Sequence, residues 1–179
     1  TTNFQVFAIR ERSESKSARF VLTSSAGTLQ SLTEHNAPGK GLSSSLFYDV
    51  YDNQRWNFAV RIKPTNFPWK PFVSGSAAST SDDTTPYQLE FYGVSYIGNT
   101  KKDSFYLTGA LDESDALDFI YHPRRLYIGA HRTNFTGAVL QKADMKIASP
   151  RVWLDYLSND EIDAHAKDPT NFGRTHPYR

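Results

Sequence analysis

Cysteine is absent from the 179 residues of this chain, which removes disulfide scaffolds, thiolate nucleophiles and Cys-ligated zinc together. Charge of one sign is missing too. Lys and Arg number 20 against 19 Asp and Glu, and a net charge of +1 gives no long-range field to draw in phosphate backbones or anionic lipid. Nucleic acid is therefore not expected as a partner. No apolar run approaches the roughly 20 residues that cross a bilayer as a helix, so membrane insertion is not expected. There is also no internal repeat, no Gly-x-Ser-x-Gly elbow, no phosphate-cradling glycine loop, no His-x-His pair and no His-Glu-x-x-His helix. The histidines, His35, His122, His131, His165 and His176, accordingly read as structural or solvent-exposed. The opening Thr1-Thr2-Asn3 has neither an initiator Met nor a signal pattern, and the expectation is a piece of a longer protein.

What the chain has is aromatic residues, 14% of the total, set between Gly, Pro, Ser, Thr and Asn at short intervals. That composition suits many short strands joined by turns, and nothing in it demands a second core, so a single all-β domain over residues 1–179 is expected. Phe4, Val6 and Ala8 alternate with their neighbours, as do Phe20 and Leu22, which predicts two early strands. The clearest strand is Trp56 to Lys63, with Trp56, Phe58, Val60 and Ile62 on one face and Asn57, Ala59, Arg61 and Lys63 on the other. Asp52-Asn53 reads as a turn joining it to Leu46–Tyr51 in a hairpin, and Pro64 ends it. Residues 66–86, with Pro68 and Pro71, read as a long exposed loop. A second hairpin is predicted from Tyr87–Val94 and Ser104–Thr108, and further strands from Arg125–Ala130 and Ala143–Ala148, the last running on toward Val152 and Leu154.

One helix is predicted, from Ser158. Ser158-Asn159-Asp160-Glu161 is a capping box, Ile162, His165 and Ala166 share a face, and Pro169 and Gly173 stop the helix.

This order of elements resembles a known family. Trp56-Asn57-Phe58-Ala59-Val60 after an Asp-Asn turn is followed by Leu126-Tyr127-Ile128-Gly129-Ala130 and Asn134-Phe135-Thr136-Gly137. A strand then leads into Ser158-Asn159-Asp160-Glu161-Ile162 and His165-Ala166-Lys167-Asp168. Together they resemble the laminin-G-like branch of the concanavalin A-like superfamily, over most of the chain from Tyr51 to Gly173. The closing stretch from His165 to Gly173 is similar to modules embedded in large tailed-bacteriophage virion proteins. The resemblance implies a jelly-roll sandwich of two antiparallel sheets with one short helix near the C-terminus. It leaves the ligand open, because that superfamily holds lectins, glycosidases, protein-binding modules and structural inserts.

Glycosidases of the superfamily use a strand of the form Glu-x-Asp-x-x-Glu, whose outer carboxylates face the scissile bond. Glu161-Ile162-Asp163-Ala164-His165-Ala166-Lys167 lacks the last carboxylate and sits on the predicted helix, so catalysis is not expected there. Lectin and laminin-G sandwiches often hold calcium at loop oxygens. Asp82 and Asp83 are the candidate ligands here, with Asp112, Asp115 and Asp118 as further oxygen donors; none has EF-hand spacing, and all are equally accounted for as polar loop surface. For sugar binding, Trp69 between Pro68 and Pro71 is the best-placed ring to stack on a pyranose, and Arg132 and Asn134 are candidate polar contacts. The opposing assignments are Trp69 as a plug under a loop and Asn134 as a turn residue. Asn134-Phe135-Thr136 is also a glycosylation sequon, with meaning only in a eukaryotic secreted protein. The expected function is a non-catalytic module that binds a glycan or a host surface receptor on a virion or other extracellular assembly. The alternative is a structural or protein-interaction domain touching neighbouring virion proteins.

Overall fold

The computed structural model describes residues 4–24, 41–65, 87–111, 113–123, 126–132, 138–142 and 145–174. Along the chain run β1 (Phe4–Arg10), β2 (Ala18–Ser24), β3 (Leu42–Ser43), β4 (Trp56–Pro64), β5 (Tyr87–Ile97) and β6 (Thr100–Leu111). Helix α1 (Glu113–Tyr121), β7 (Ala130–Arg132), β8 (Val139–Lys142) and helix α2 (Asn159–Lys167) follow. The strands form two three-stranded antiparallel sheets, β1-β2-β3 and β4-β5-β6, and a separate β7-β8 pair. The architecture is all-β and sandwich-like. No helix among the described residues is long and apolar enough to cross a membrane.

Phe20 of β2 holds the two sheets together. Its ring lies 4.6 Å from Trp56, 4.8 Å from Phe58 and 5.5 Å from Phe105, centroid to centroid. Leu22, Leu89 and Phe91 complete the buried cluster, with Trp56 and Ile62 packed against it. The inner face of β4 is thus the one its alternation predicts, although Phe58 and Val60 remain 39% and 38% exposed. The opposite face is an interior too. It is covered by α2 and the segment before it, so that Tyr92, Val94 and Tyr96 bury Leu157, Ile162 and Ala166 in a second core. β5, sandwiched on both sides, is buried without a break from Leu89 to Tyr96.

Gly93 sits at the centre of β5, facing Phe105 across the ladder. A Cβ built there would stand 2.2 Å from the Phe105 ring, so the glycine exists to admit that ring into the inter-sheet core. Gly93→Ala is expected to lower stability by about 1–3 kcal/mol through overpacking, measured by urea denaturation.

Several predicted elements are corrected. Leu46–Tyr51 is not a strand: Phe47 makes only an isolated bridge to Ala18, and Asp49, at φ 60°, turns the chain away. β4 pairs instead with β5 along its whole length. The β5–β6 hairpin is present but its turn is shorter than expected, only Gly98-Asn99, because Gly98 takes the positive φ that a two-residue hairpin needs. Residues 126–128 and 145–153 carry no regular structure; Gly129 (φ 73°) and Ser149 (φ 54°) turn the backbone, and the ladder forms between β7 and β8 instead. α1 was not predicted at all. Glu113 and Asp115 in its first turn favour the positive end of the helix dipole, Ala116 is buried, and Phe119 packs on Phe4 at 4.4 Å. The helix at Ser158 is as expected, with both halves of the capping box formed and Ile162, His165 and Ala166 buried.

Candidate functional site

Trp69, Asp82, Asp83, Asp112 and Asn134 lie outside the described residues, and Arg132 is described only as the last backbone position of β7. Asp115 and Asp118 belong to α1, not to a loop, and Asp118 pairs with His122 at 3.0 Å. Among the described residues no three His, Cys, Asp or Glu side chains gather closely enough to hold a metal ion. The two carboxylates of the incomplete glycosidase pattern have structural partners. Glu161 accepts from the Ser158 backbone N–H at 2.8 Å as part of the cap, and Asp163 accepts from Tyr92 and Lys101 at 2.6 and 3.0 Å. His165 is buried against Trp153, with Nε2 2.7 Å from the Gly173 carbonyl.

Arg61, Lys63 and Glu90 form a network that alternation alone assigns to the solvent side. Glu90 is fully buried. Its carboxylate accepts from Arg61 at 2.9 Å, Lys63 at 2.6 Å, Tyr106 at 2.5 Å and Tyr156 at 3.0 Å. Burial pushes the Glu90 carboxyl up, but the hydrogen bonds from Lys63 and Tyr106 and the charge of Arg61 outweigh it and hold the group below the usual range. Arg61 also donates to the Leu157 carbonyl and to Asn159 Oδ1, both at 2.7 Å. Tyr92, Lys101 and Asp163 make a second knot farther along α2, where burial lowers Lys101 but its bonds to Tyr92 and Asp163 raise it well above an ordinary lysine. The bonds from Arg61 to Leu157 and Asn159, from Tyr156 to Glu90, and from Tyr92 and Lys101 to Asp163 tie the outer face of the β4-β5-β6 sheet to the C-terminal segment, and the remaining bonds link the strands beneath it, so the network is a docking device. Ser158→Ala, which removes the cap that orients α2 over it, is expected to cost about 0.5–2 kcal/mol in a thermal melt.

An open cleft of about 480 Å³ lies where β4 begins and β5 turns into β6. Asp49, Gln54 and Arg55 form one side, and Ser95, Tyr96 and Lys102 the other. The first side is fixed by the turn before β4. Asp49 and Asn53 hold left-handed conformations that Asp and Asn tolerate, and the turn closes from Asp52 N–H to the Asp49 carbonyl at 2.9 Å. Tyr51 then bonds Lys16 and Ala8 across the β1–β2 region, with Arg10 over its ring at 3.9 Å. Arg55 is anchored from the far side, donating to the Ala166 carbonyl of α2 at 2.7 Å. On the second side a β-bulge between Ser95 and Tyr96 shifts the register and re-aims the strand end.

The walls are therefore built before any ligand arrives, and their chemistry is mixed: the Asp49 and Asp52 carboxylates, the Asn53 and Gln54 amides, the Ser95 hydroxyl and the Arg55 and Lys102 cations stand beside Tyr96 and Ile97. Gln54 Oε1 and Ser95 Oγ are buried and have no hydrogen-bond partner among the described residues. No single stretch of sequence marks this place. Asp52-Asn53 marked the turn, but nothing local to Ser95 shows that it faces Trp56 at the open end of the sheet. Comparison of the chain with protein-family models, with curated proteins and with solved structures finds no match.

Proposed function

We propose that this chain is a non-catalytic recognition module of the concanavalin A-like jelly-roll type, binding a glycan or a glycosylated host receptor in the cleft beside β4. The observation that carries it is a preformed cleft whose wall holds two buried polar atoms, Gln54 Oε1 and Ser95 Oγ, without partners among the described residues. Native structures rarely leave such groups unmade, and a ligand's hydroxyls would satisfy them. Two facing antiparallel sheets support the sandwich, and the likeness of the C-terminal stretch to phage virion modules supports display on a virion or another extracellular assembly.

Glycan-array binding by the purified chain tests this, with Trp69→Ala alongside to learn whether that ring contributes. Binding of a defined glycan set is expected. An empty array from folded protein would overturn the proposal in favour of a second reading, a structural or protein-interaction domain. One observation favours that reading: Val152 and Leu154 stand 83% and 103% exposed in a segment without regular structure, as side chains awaiting a protein partner would.

A further inference from the structure

Four charged side chains line the cleft, Asp49, Asp52, Arg55 and Lys102, and two of them are already engaged. Asp52 pairs with Lys16 at 3.0 Å, and Arg55 donates to the Ala166 carbonyl at 2.7 Å. The side chains of Asp49 and Lys102 make no hydrogen bond or ion pair among the described residues, either with each other or with any neighbour.

Both sit where the backbone leaves its regular course. Asp49 holds φ 60° in the turn ahead of β4. In the β5–β6 ladder Ser95 faces Asp103 and Tyr96 faces Lys101, so Lys102 is the extra residue of the bulge and has no partner on β5. A bulge re-aims the side chain it inserts, and this one lines the cleft, whereas its neighbour Lys101 pairs with Asp163 at 3.0 Å. Ser95, on the same wall, is 1% exposed, and its hydroxyl has no partner among the described residues.

An unpaired carboxylate and an unpaired ammonium bordering one cleft are selective. A neutral ligand strips water from both charges and returns nothing. An anion gains Lys102 but faces Asp49, and a cation gains Asp49 but faces Lys102. A ligand that carries both signs meets each wall with its opposite, in charge-assisted hydrogen bonds that are stronger than neutral ones. The Asn53 and Gln54 amides on the same walls suit the hydroxyls of a sugar ring.

We propose that Asp49 and Lys102 make this cleft selective for a zwitterionic sugar, its ammonium group held by the Asp49 carboxylate and its carboxylate by the Lys102 ammonium. The inference rests on the recognition role proposed above and names the substrate class of that same cleft.

The test is an NMR titration of the ¹⁵N-labelled chain at about pH 6, where carboxylates are ionised and amines protonated, following the backbone amide of Gly98 in the cleft. The probes are methyl glycosides of one ring in four charge states: glucose, glucuronic acid, glucosamine and 2-amino-2-deoxyglucuronic acid. The last is expected to move the Gly98 cross-peak saturably and to bind about tenfold tighter than any of the others. Each charge should answer to one residue. In Asp49→Asn, whose side chain tolerates the left-handed backbone, the zwitterion should bind no better than the glucuronide. In Lys102→Gln it should bind no better than the glucosaminide. The inference is overturned if any of the other three sugars binds as tightly as the zwitterion, if the zwitterion leaves Gly98 in place, or if both variants keep the full preference. A glycan-array signal from an uncharged glycan, with the zwitterion silent in the titration, removes this selectivity and leaves the recognition role standing. A blank array together with a silent titration removes both.

Discussion

Glu90→Gln is expected to destabilise the fold by about 3–5 kcal/mol, the usual cost of removing one partner from a buried ion pair. The amide keeps the shape of the carboxylate but leaves Arg61, 7% exposed at its side chain, and Lys63 without the anion that both approach within 2.9 Å. Urea denaturation followed by far-UV circular dichroism reads the loss. A change under 1 kcal/mol would mean that the carboxylate is solvated and the outer face of the sheet uncovered.

The same residue sets the acid limb of stability. Its folded carboxyl titrates below the ordinary value of about 4.3, so the unfolded chain binds more protons between the two values. The contribution of Glu90 is therefore complete above about pH 4.5 and is lost as pH falls through its folded value. Lys63, Lys101, Tyr92 and Tyr106 are all raised, and their contributions are present below about pH 10 and lost as pH climbs through their folded values. A plateau of stability between these limits is expected from melts across pH, with the acid limb flattened in Glu90→Gln.

Phe20→Ala is the second large effect, at about 3–5 kcal/mol. Phe20 is 2% exposed and lies within 6.0 Å of four rings, Phe47, Trp56, Phe58 and Phe105, so truncation opens a cavity that rigid aromatic neighbours cannot collapse into. Phe58→Ala should cost distinctly less, since that ring is already 39% exposed. Equal losses from the two would place Phe58, not Phe20, at the centre of the core.

What could be read from the sequence follows from the range of the signals involved. The alternation of Trp56, Phe58, Val60 and Ile62 is local, and the inner face of β4 was legible. The capping box at Ser158 is equally local, and α2 was found from four residues. The covering of the outer face was not legible. Arg61 and Lys63 look like solvent-side charges in any window of the sequence, and only the return of the chain some 96 residues later, to put Leu157 over Arg61, makes that side an interior. Likewise Glu90 breaks an apolar strand and reads as surface until Tyr106 and Tyr156 are brought to it. α1 escaped because its acidic residues suggested a loop, whereas at the N-terminal turn of a helix they are favourable. The cleft depends on the register of β5 against β4 and on a bulge, neither of which a single strand reveals.

The cleft and the inner core beside it presuppose that the two sheets meet face to face through Phe20. Nuclear Overhauser contacts between the Phe20 ring protons and the Trp56 indole protons measure this directly. At a centroid separation of 4.6 Å they should be strong, with further contacts from Phe20 to Phe58 at 4.8 Å. Their absence from the spectrum of the folded chain would contradict the arrangement.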